Sequence, residues 1–139
     1  MGVVYREYEK GDFLNLAMIA DDEFKVHHIN IAKAMQKADN DIEKCVLAVE
    51  ENEIIGYVYG FALPSNTLIP EFLYVLPQHR NKGVASGLLS ELENSTACTA
   101  SMIFYHNSLH NLYAKMGYQA GENLEVAMKE IAVRKGETA

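Results

Sequence analysis

Residues 53–63 alternate two kinds of side chain. One face of the strand they predict carries Ile55, Tyr57, Tyr59, Phe61 and Leu63, and the other carries Ile54, Gly56, Val58, Gly60 and Ala62. The small face lets a helix approach closely, which marks a central strand rather than an edge. Residues 44–50 are rich in β-formers and lead into it through Glu51-Asn52, the pattern of a hairpin. Upstream, residues 3–8 read as a short strand ended by Lys10-Gly11, with Asp12 placed to cap a helix reaching about Ala20. Phe24, His28, Ile31, Met35 and Ala38 step by four and three, which predicts a second helix from Asp22.

Downstream, residues 68–76 predict a further strand ended by Pro77. Pro70 cannot donate into a ladder, so that strand should begin irregularly or like an edge. After Gly83 a helix turns Val84, Leu88, Leu89 and Leu92 inward and reaches about Asn94. Residues 100–105 predict a strand, 108–116 a helix closed by Gly117, and 118–120 with 124–131 a terminal hairpin. The order β-α-α-β-β-β-α-β-α-β-β predicts an α/β fold with a mixed, mostly antiparallel sheet of about seven strands flanked by helices. No repeat or linker interrupts it, so residues 1–139 form one domain.

Charge narrows the partners. Twelve Lys and Arg against nineteen Asp and Glu give a net charge of -7, a field that repels nucleic acid and anionic membranes and would draw in cationic amines, although solubility alone is the plainer reason for such acidity. Cys45 and Cys98 stand in no CxxC or Cys/His arrangement, so both read as buried thiols and no metal is expected. Residues 1–12 hold no signal-type apolar stretch, and no run is long enough to span a bilayer, which places the chain in the cytoplasm. Composition leaves monomer and homodimer both open.

The chemistry is concentrated in Pro77-Gln78-His79-Arg80-Asn81-Lys82-Gly83-Val84-Ala85, a turn between a strand and a helix. The first amides of a helix lack internal partners and its dipole is positive there, so phosphate oxygens are natural ligands. Gly83 lets the backbone come close, Ala85 and Ser86 keep the first turn slim, and Arg80 and Lys82 add positive charge. The plain alternative is an ordinary basic helix start. The spacing is not that of a Walker loop.

Arg80-Asn81-Lys82-Gly83-Val84-Ala85, following Leu73-Tyr74-Val75-Leu76-Pro77, resembles the Q/R-x-x-G-x-G/A signature of the GCN5-related N-acetyltransferase (GNAT) superfamily. His106-Asn107 followed by Leu112-Tyr113-Ala114-Lys115-Met116-Gly117-Tyr118 resembles that family's second segment, with His110 in place of alanine and Tyr118 in place of phenylalanine. Val46-Leu47-Ala48-Val49, Ile54-Ile55-Gly56 and Gln78-His79-Arg80-Asn81-Lys82-Gly83-Val84-Ala85 bear a weaker resemblance to aminoglycoside 3-N-acetyltransferases of that superfamily. The resemblance implies the acyl-CoA N-acyltransferase fold, with acetyl-CoA in a cleft between splayed strands. Pantetheine would follow the backbone at Tyr74, Val75 and Leu76, the pyrophosphate would meet Arg80, Asn81, Lys82, Gly83, Val84, Ala85 and Ser86, and Asn107 would complete the cofactor contacts. A small-molecule primary amine, such as an aminoglycoside or polyamine, would attack the thioester directly, with no acyl-enzyme.

Two proton transfers follow from that chemistry. An alkyl ammonium must lose a proton, and the leaving thiolate gains one. Tyr113 stands where the family places its thiol-protonating tyrosine; with Leu109, Leu112 and Met116 on its face it would alone read as a packed helix residue, and Asn107 before it with the loop upstream favours the functional role. Glu71 shares strand parity with Leu73 and Val75, which makes it the candidate base or the holder of a base water. A β-bulge would turn it to the other side, and a solvated glutamate is the plain alternative. His27 and His28 offer a proton shuttle or a substrate contact, but adjacent histidines on a helix point in different directions, which favours a structural role. The rival function is a catalytically idle acyl-CoA-binding or regulatory module.

Overall fold

Five strands hydrogen-bond in chain order: β1 (Val4–Glu7), β2 (Glu43–Glu50), β3 (Glu53–Ala62), β4 (Thr67–Val75) and β5 (Ala100–Ser101). The first four are antiparallel neighbours and β5 runs parallel to β4, so the sheet is mixed, with β3 at its centre as the small-residue face implied. The structure is a computed structural model describing residues 2–132. The chain divides into two compact units, Met1–Phe104 and Tyr105–Ala139.

The β2–β3 turn is written in the sequence. Glu51 and Asn52 both take positive φ (51° and 67°), as a two-residue turn of the type that matches strand twist requires. α1 (Phe13–Ala17) and α2 (Lys25–Gln36) belong to the Tyr57 face, where His28 of α2 meets the Tyr57 ring edge-on. α3 (Val84–Asn94) covers the opposite face with Leu88, Leu89 and Leu92 buried. A methyl group at Gly56 would stand 2.7 Å from the Tyr74 carbonyl oxygen and 3.4 Å from Leu88 Cδ1. The small face therefore admits the neighbouring strand as much as the helix.

Several expectations are corrected. The described residues contain five strands rather than seven: 100–105 yields only Ala100–Ser101, and 118–132 yields none. Leu124, Val126, Met128 and Ile131 are exposed. Alternation makes a strand only where a ladder receives it, and the second unit has no other strand among its described residues. α1 stops at Ala17, short of Ala20, and α2 is preceded by a 3₁₀ turn at Asp22–Phe24. Asp12 does not cap α1 with its side chain. Its oxygens instead take both Arg6 terminal nitrogens (2.8 Å each) and the Glu9 amide (2.8 Å), tying β1 to the following turn. Cys45 is buried, and burial pushes its thiol up; Cys98 is only half-buried. No helix among the described residues is long and apolar enough to cross a membrane.

Candidate functional site

Pro70 decides where β5 leaves β4. The Leu68 carbonyl accepts from the Met102 amide (2.8 Å), so Leu68 faces β5. By strand alternation Pro70 faces the same edge, and with no N–H it cannot extend the ladder. Pairing between the two strands accordingly covers only Thr67↔Ala100 and Leu68↔Ser101. Pro70 thus lies where β4 loses its neighbour and becomes irregular, within the strand rather than at its start.

One residue later the strand bulges. Tyr59 pairs with Phe72 and Gly60 with Pro70, leaving Glu71 as the extra residue. This is the bulge that the sequence reading left open. Glu71 is exposed, and its charge joins burial and Glu43 in pushing the Tyr59 hydroxyl up, burial being the largest cause. Tyr59 also donates to Glu43 (3.1 Å). Beyond the bulge, the Leu76 amide donates to Ile55 (2.8 Å), so Leu76, Tyr74 and Phe72 turn their backbone toward β3. Leu73 and Val75 therefore present their amides and carbonyls to the edge that β5 has left.

That edge runs into the glycine loop. After a 3₁₀ turn at Pro77–His79, Asn81 and Gly83 both take left-handed conformations (φ 64° and 82°), and α3 starts at Val84. Among the described residues, the first amide of this helix to find a carbonyl is that of Gly87, on Gly83 (3.1 Å). A Cβ at Gly83 would meet nothing within 4 Å, so glycine serves the backbone angle and leaves open space. Lys82, Asn81 and Ser86 are exposed, Ala85 is half-exposed and Val84 is buried. Arg80 differs from the sequence reading: its Nε donates to the Val75 carbonyl (2.8 Å), and its guanidinium carbon lies 5.8 Å from the Tyr74 ring centre.

Tyr74 turns its side chain to the α2 face. Its hydroxyl donates to Asp21 Oδ2, and its ring meets those of His28 (4.5 Å), Phe24 (5.6 Å) and Tyr57 (5.6 Å). Burial, then the Asp21 carboxylate, pushes its hydroxyl up, and the same hydrogen bond holds Asp21 below the usual carboxylate range. His28 is wholly buried with Nδ1 2.7 Å from the Tyr57 hydroxyl, while its Nε2 has no partner among the described residues. Burial pushes His28 down, so the imidazole is neutral at pH 7. The sequence reading named His28 but did not bring it together with Asp21, Tyr57 and Phe72. The available signal was a histidine on the inward stripe between Phe24 and Met35.

In the second unit, His106 Nδ1 accepts from the Ser108 amide (3.2 Å) and opens a turn at Asn107–Leu109, with Asn107 exposed. α4 (His110–Lys115) ends in a Schellman motif: Tyr118 donates to Tyr113 (3.1 Å) and Gly117, at φ 92°, donates to Ala114 (3.0 Å). Tyr113 is buried between the rings of Tyr105 (4.6 Å) and Tyr118 (5.9 Å). Burial, then these tyrosines, pushes its hydroxyl up, so it is a donor at neutral pH. The described residues hold no group of three His, Cys, Asp or Glu able to bind a metal ion.

Solved structures of low sequence identity share the fold. The chain is similar to aminoglycoside N-acetyltransferase AAC(6′)-Iy, solved in complex with CoA, at 15% identity and TM-score 0.72, covering 94% of this chain and 96% of that one. It is similar to a ribosomal-protein-alanine N-acetyltransferase from Brucella melitensis at 16% identity and TM-score 0.73, covering 94% and 100%. It is also similar to a transcriptional regulator from Bacillus halodurans at 19% identity and TM-score 0.67, covering 91% and 100%. No curated protein matches the sequence. The family model for the acetyltransferase (GNAT) domain matches residues 41–120, more than half of the chain, and takes in the bulged strand, the glycine loop and the Tyr113 segment. The chain therefore belongs to the GNAT acetyltransferase family.

Proposed function

We propose that this protein transfers the acetyl group of acetyl-CoA to the primary amine of a small cationic acceptor, such as an aminoglycoside or a polyamine, by direct attack. The observation that carries the reading is the stretch of β4 at Leu73 and Val75 that β5 does not pair, where Arg80 Nε holds the Val75 carbonyl and the chain leads directly into the left-handed loop and the amide-lined start of α3. A pantetheine arm has the amides and carbonyls to pair with such an edge, as an added strand would. The pyrophosphate suits the helix start, with Lys82 beside it. Tyr74 and Leu76 then act as the frame of that edge, and Asn81, Gly83, Val84, Ala85 and Ser86 contribute backbone.

Glu71, exposed at the bulge, is the base of this proposal, directly or through a water. Tyr113 is the proton donor to the leaving thiolate, a role it takes from the resemblance of its segment. Asn107 is kept as a cofactor contact on the same ground. The net charge of -7 favours a cationic acceptor.

The test is release of free thiol from acetyl-CoA in the presence of spermidine, kanamycin or a peptide with an N-terminal alanine, with CoA binding measured alongside. Amine-dependent thiol release supports the enzyme. Binding without release in all three would identify an idle acyl-CoA module, and absence of binding would remove the reading.

A further inference from the structure

Four residues line up across the sheet beneath α3. Tyr5 of β1 pairs with Ala48, Ala48 with Gly56, and Gly56 with Val75. Residues directly opposed in a sheet share a face, and a Cβ at Gly56 would stand 3.4 Å from Leu88 Cδ1, so the row faces α3. Its two smallest members lie in the middle and a larger one stands at each end. The ends are about 14 Å apart, three strand spacings, which leaves room for one helix about 10 Å wide.

The fit is tightest at Tyr5. A Cβ at Gly87 of α3 would stand 2.2 Å from Tyr5 Cζ, 2.5 Å from its hydroxyl oxygen and 2.6 Å from Cε1, so the ring fills the place of a side chain there. Glycine is unfavourable inside a helix, where alanine is the best residue, and Gly87 has no positive φ that would require it. The ring of Tyr5 is what this glycine accommodates.

The contact sits where the helix meets its loop. The Gly87 amide donates to the Gly83 carbonyl (3.1 Å), so Tyr5 presses on the turn whose own amides are left free. At the other end of the row is Val75, on the stretch of β4 that β5 does not pair. Tyr5 is thus one wall of a groove whose opposite wall is the strand assigned above to pantetheine.

We propose that Tyr5 is a positioning residue for the cofactor: by filling the space beside Gly87 it fixes how far the start of α3 lies from β4. Pantetheine and pyrophosphate are parts of one molecule, so CoA must meet both elements at once. A sideways shift of about 1 Å at the helix start then costs the whole ligand more than it costs the nucleotide half alone. The inference rests on the acetyl-CoA reading above and adds a residue of β1 that touches neither substrate.

The experiment is calorimetric titration of CoA, and of adenosine 3′-phosphate 5′-diphosphate, which lacks pantetheine, into the wild type, Gly87→Ala, Tyr5→Leu and the double variant. Gly87→Ala should weaken CoA about tenfold or more and the nucleotide less than about threefold. Tyr5→Leu alone should weaken CoA about threefold, yet when added to Gly87→Ala it should bring CoA back to within about threefold of the wild type. The same substitution then acts with opposite signs in the two backgrounds. Unchanged CoA affinity in Gly87→Ala would show that the ring swings aside, and equal losses for both ligands would show general damage to the helix start; either result overturns the proposal. Where circular dichroism shows Gly87→Ala unfolded, Tyr5→Leu carries the test, and unchanged CoA affinity in it overturns the proposal. Failure of the wild type to bind CoA would instead remove the acetyl-CoA reading itself, and this inference with it.

Discussion

Nδ1 of His28 lies 2.7 Å from the hydroxyl of Tyr57, and neither side chain is open to solvent. The imidazole is pushed below its ordinary value of about 6.5, by burial first, so the unfolded chain takes up a proton that the folded one refuses. Stability is therefore full above pH 6.5 and falls as pH drops below it, until the lowered folded-state value is reached. The slope cannot exceed about 1.4 kcal/mol per pH unit for one proton. His28→Phe should remove this slope between pH 6.5 and 5, read by urea denaturation. A variant with the same slope as the wild type would place the acid sensitivity elsewhere.

Asp12 titrates in a lower window. Its carboxyl is depressed, first by the Arg6 hydrogen bonds, so its contribution is present above the usual carboxylate range and is lost as pH falls through it. The pair is bidentate, with Arg6 partly exposed, and Asp12 also satisfies the Glu9 amide. Asp12→Ala should cost about 1–3 kcal/mol at pH 7 and much less at pH 3. Equal losses at both values would mean that the charge plays no part.

Gly60 faces the bulge. A methyl group there would stand 2.5 Å from the Ile69 carbonyl oxygen and 2.9 Å from Pro70 Cα, both backbone atoms that cannot swing aside. Gly60→Ala should destabilise by about 1–3 kcal/mol and move Glu71 with the strand. Thermal melting gives the first quantity, and turnover gives the second. A neutral substitution would show that β4 can shift without loss.

If Tyr113 is the proposed proton donor, its hydroxyl acts as charge develops on sulfur, and Tyr113→Phe should lower kcat about a hundredfold or more while leaving CoA affinity near that of the wild type. Its ring would keep its packing on Tyr105 and Tyr118. Steady-state kinetics with binding measured alongside decides between the alternatives. Lost binding with normal turnover would make it a clamp, and no change in either would make it a packing residue.

What the sequence made legible followed from local rules. The Glu51-Asn52 turn, the glycine faces of β3 and the start of α3 after Gly83 all depend on backbone angles or periodicity that a few residues determine. The edge at Val75 was legible only in part, since Pro70 announced an irregular strand but not the divergence it causes. The Asp21–Tyr74–Arg80 linkage was not legible, because it joins residues 53 apart through a rotamer choice at Tyr74. Strand alternation misled at 124–131, where no neighbouring strand receives it.

The central claim is that the β4 edge and the loop beyond it bind CoA, and calorimetric titration of CoA into the purified protein tests it most directly. The account predicts saturable binding at one site. Ser86→Glu and Gly83→Asp, each placing a carboxylate at the start of α3, should weaken it at least tenfold while circular dichroism shows the fold retained. No binding by the wild type, or unchanged affinity in folded Ser86→Glu and Gly83→Asp, would contradict it.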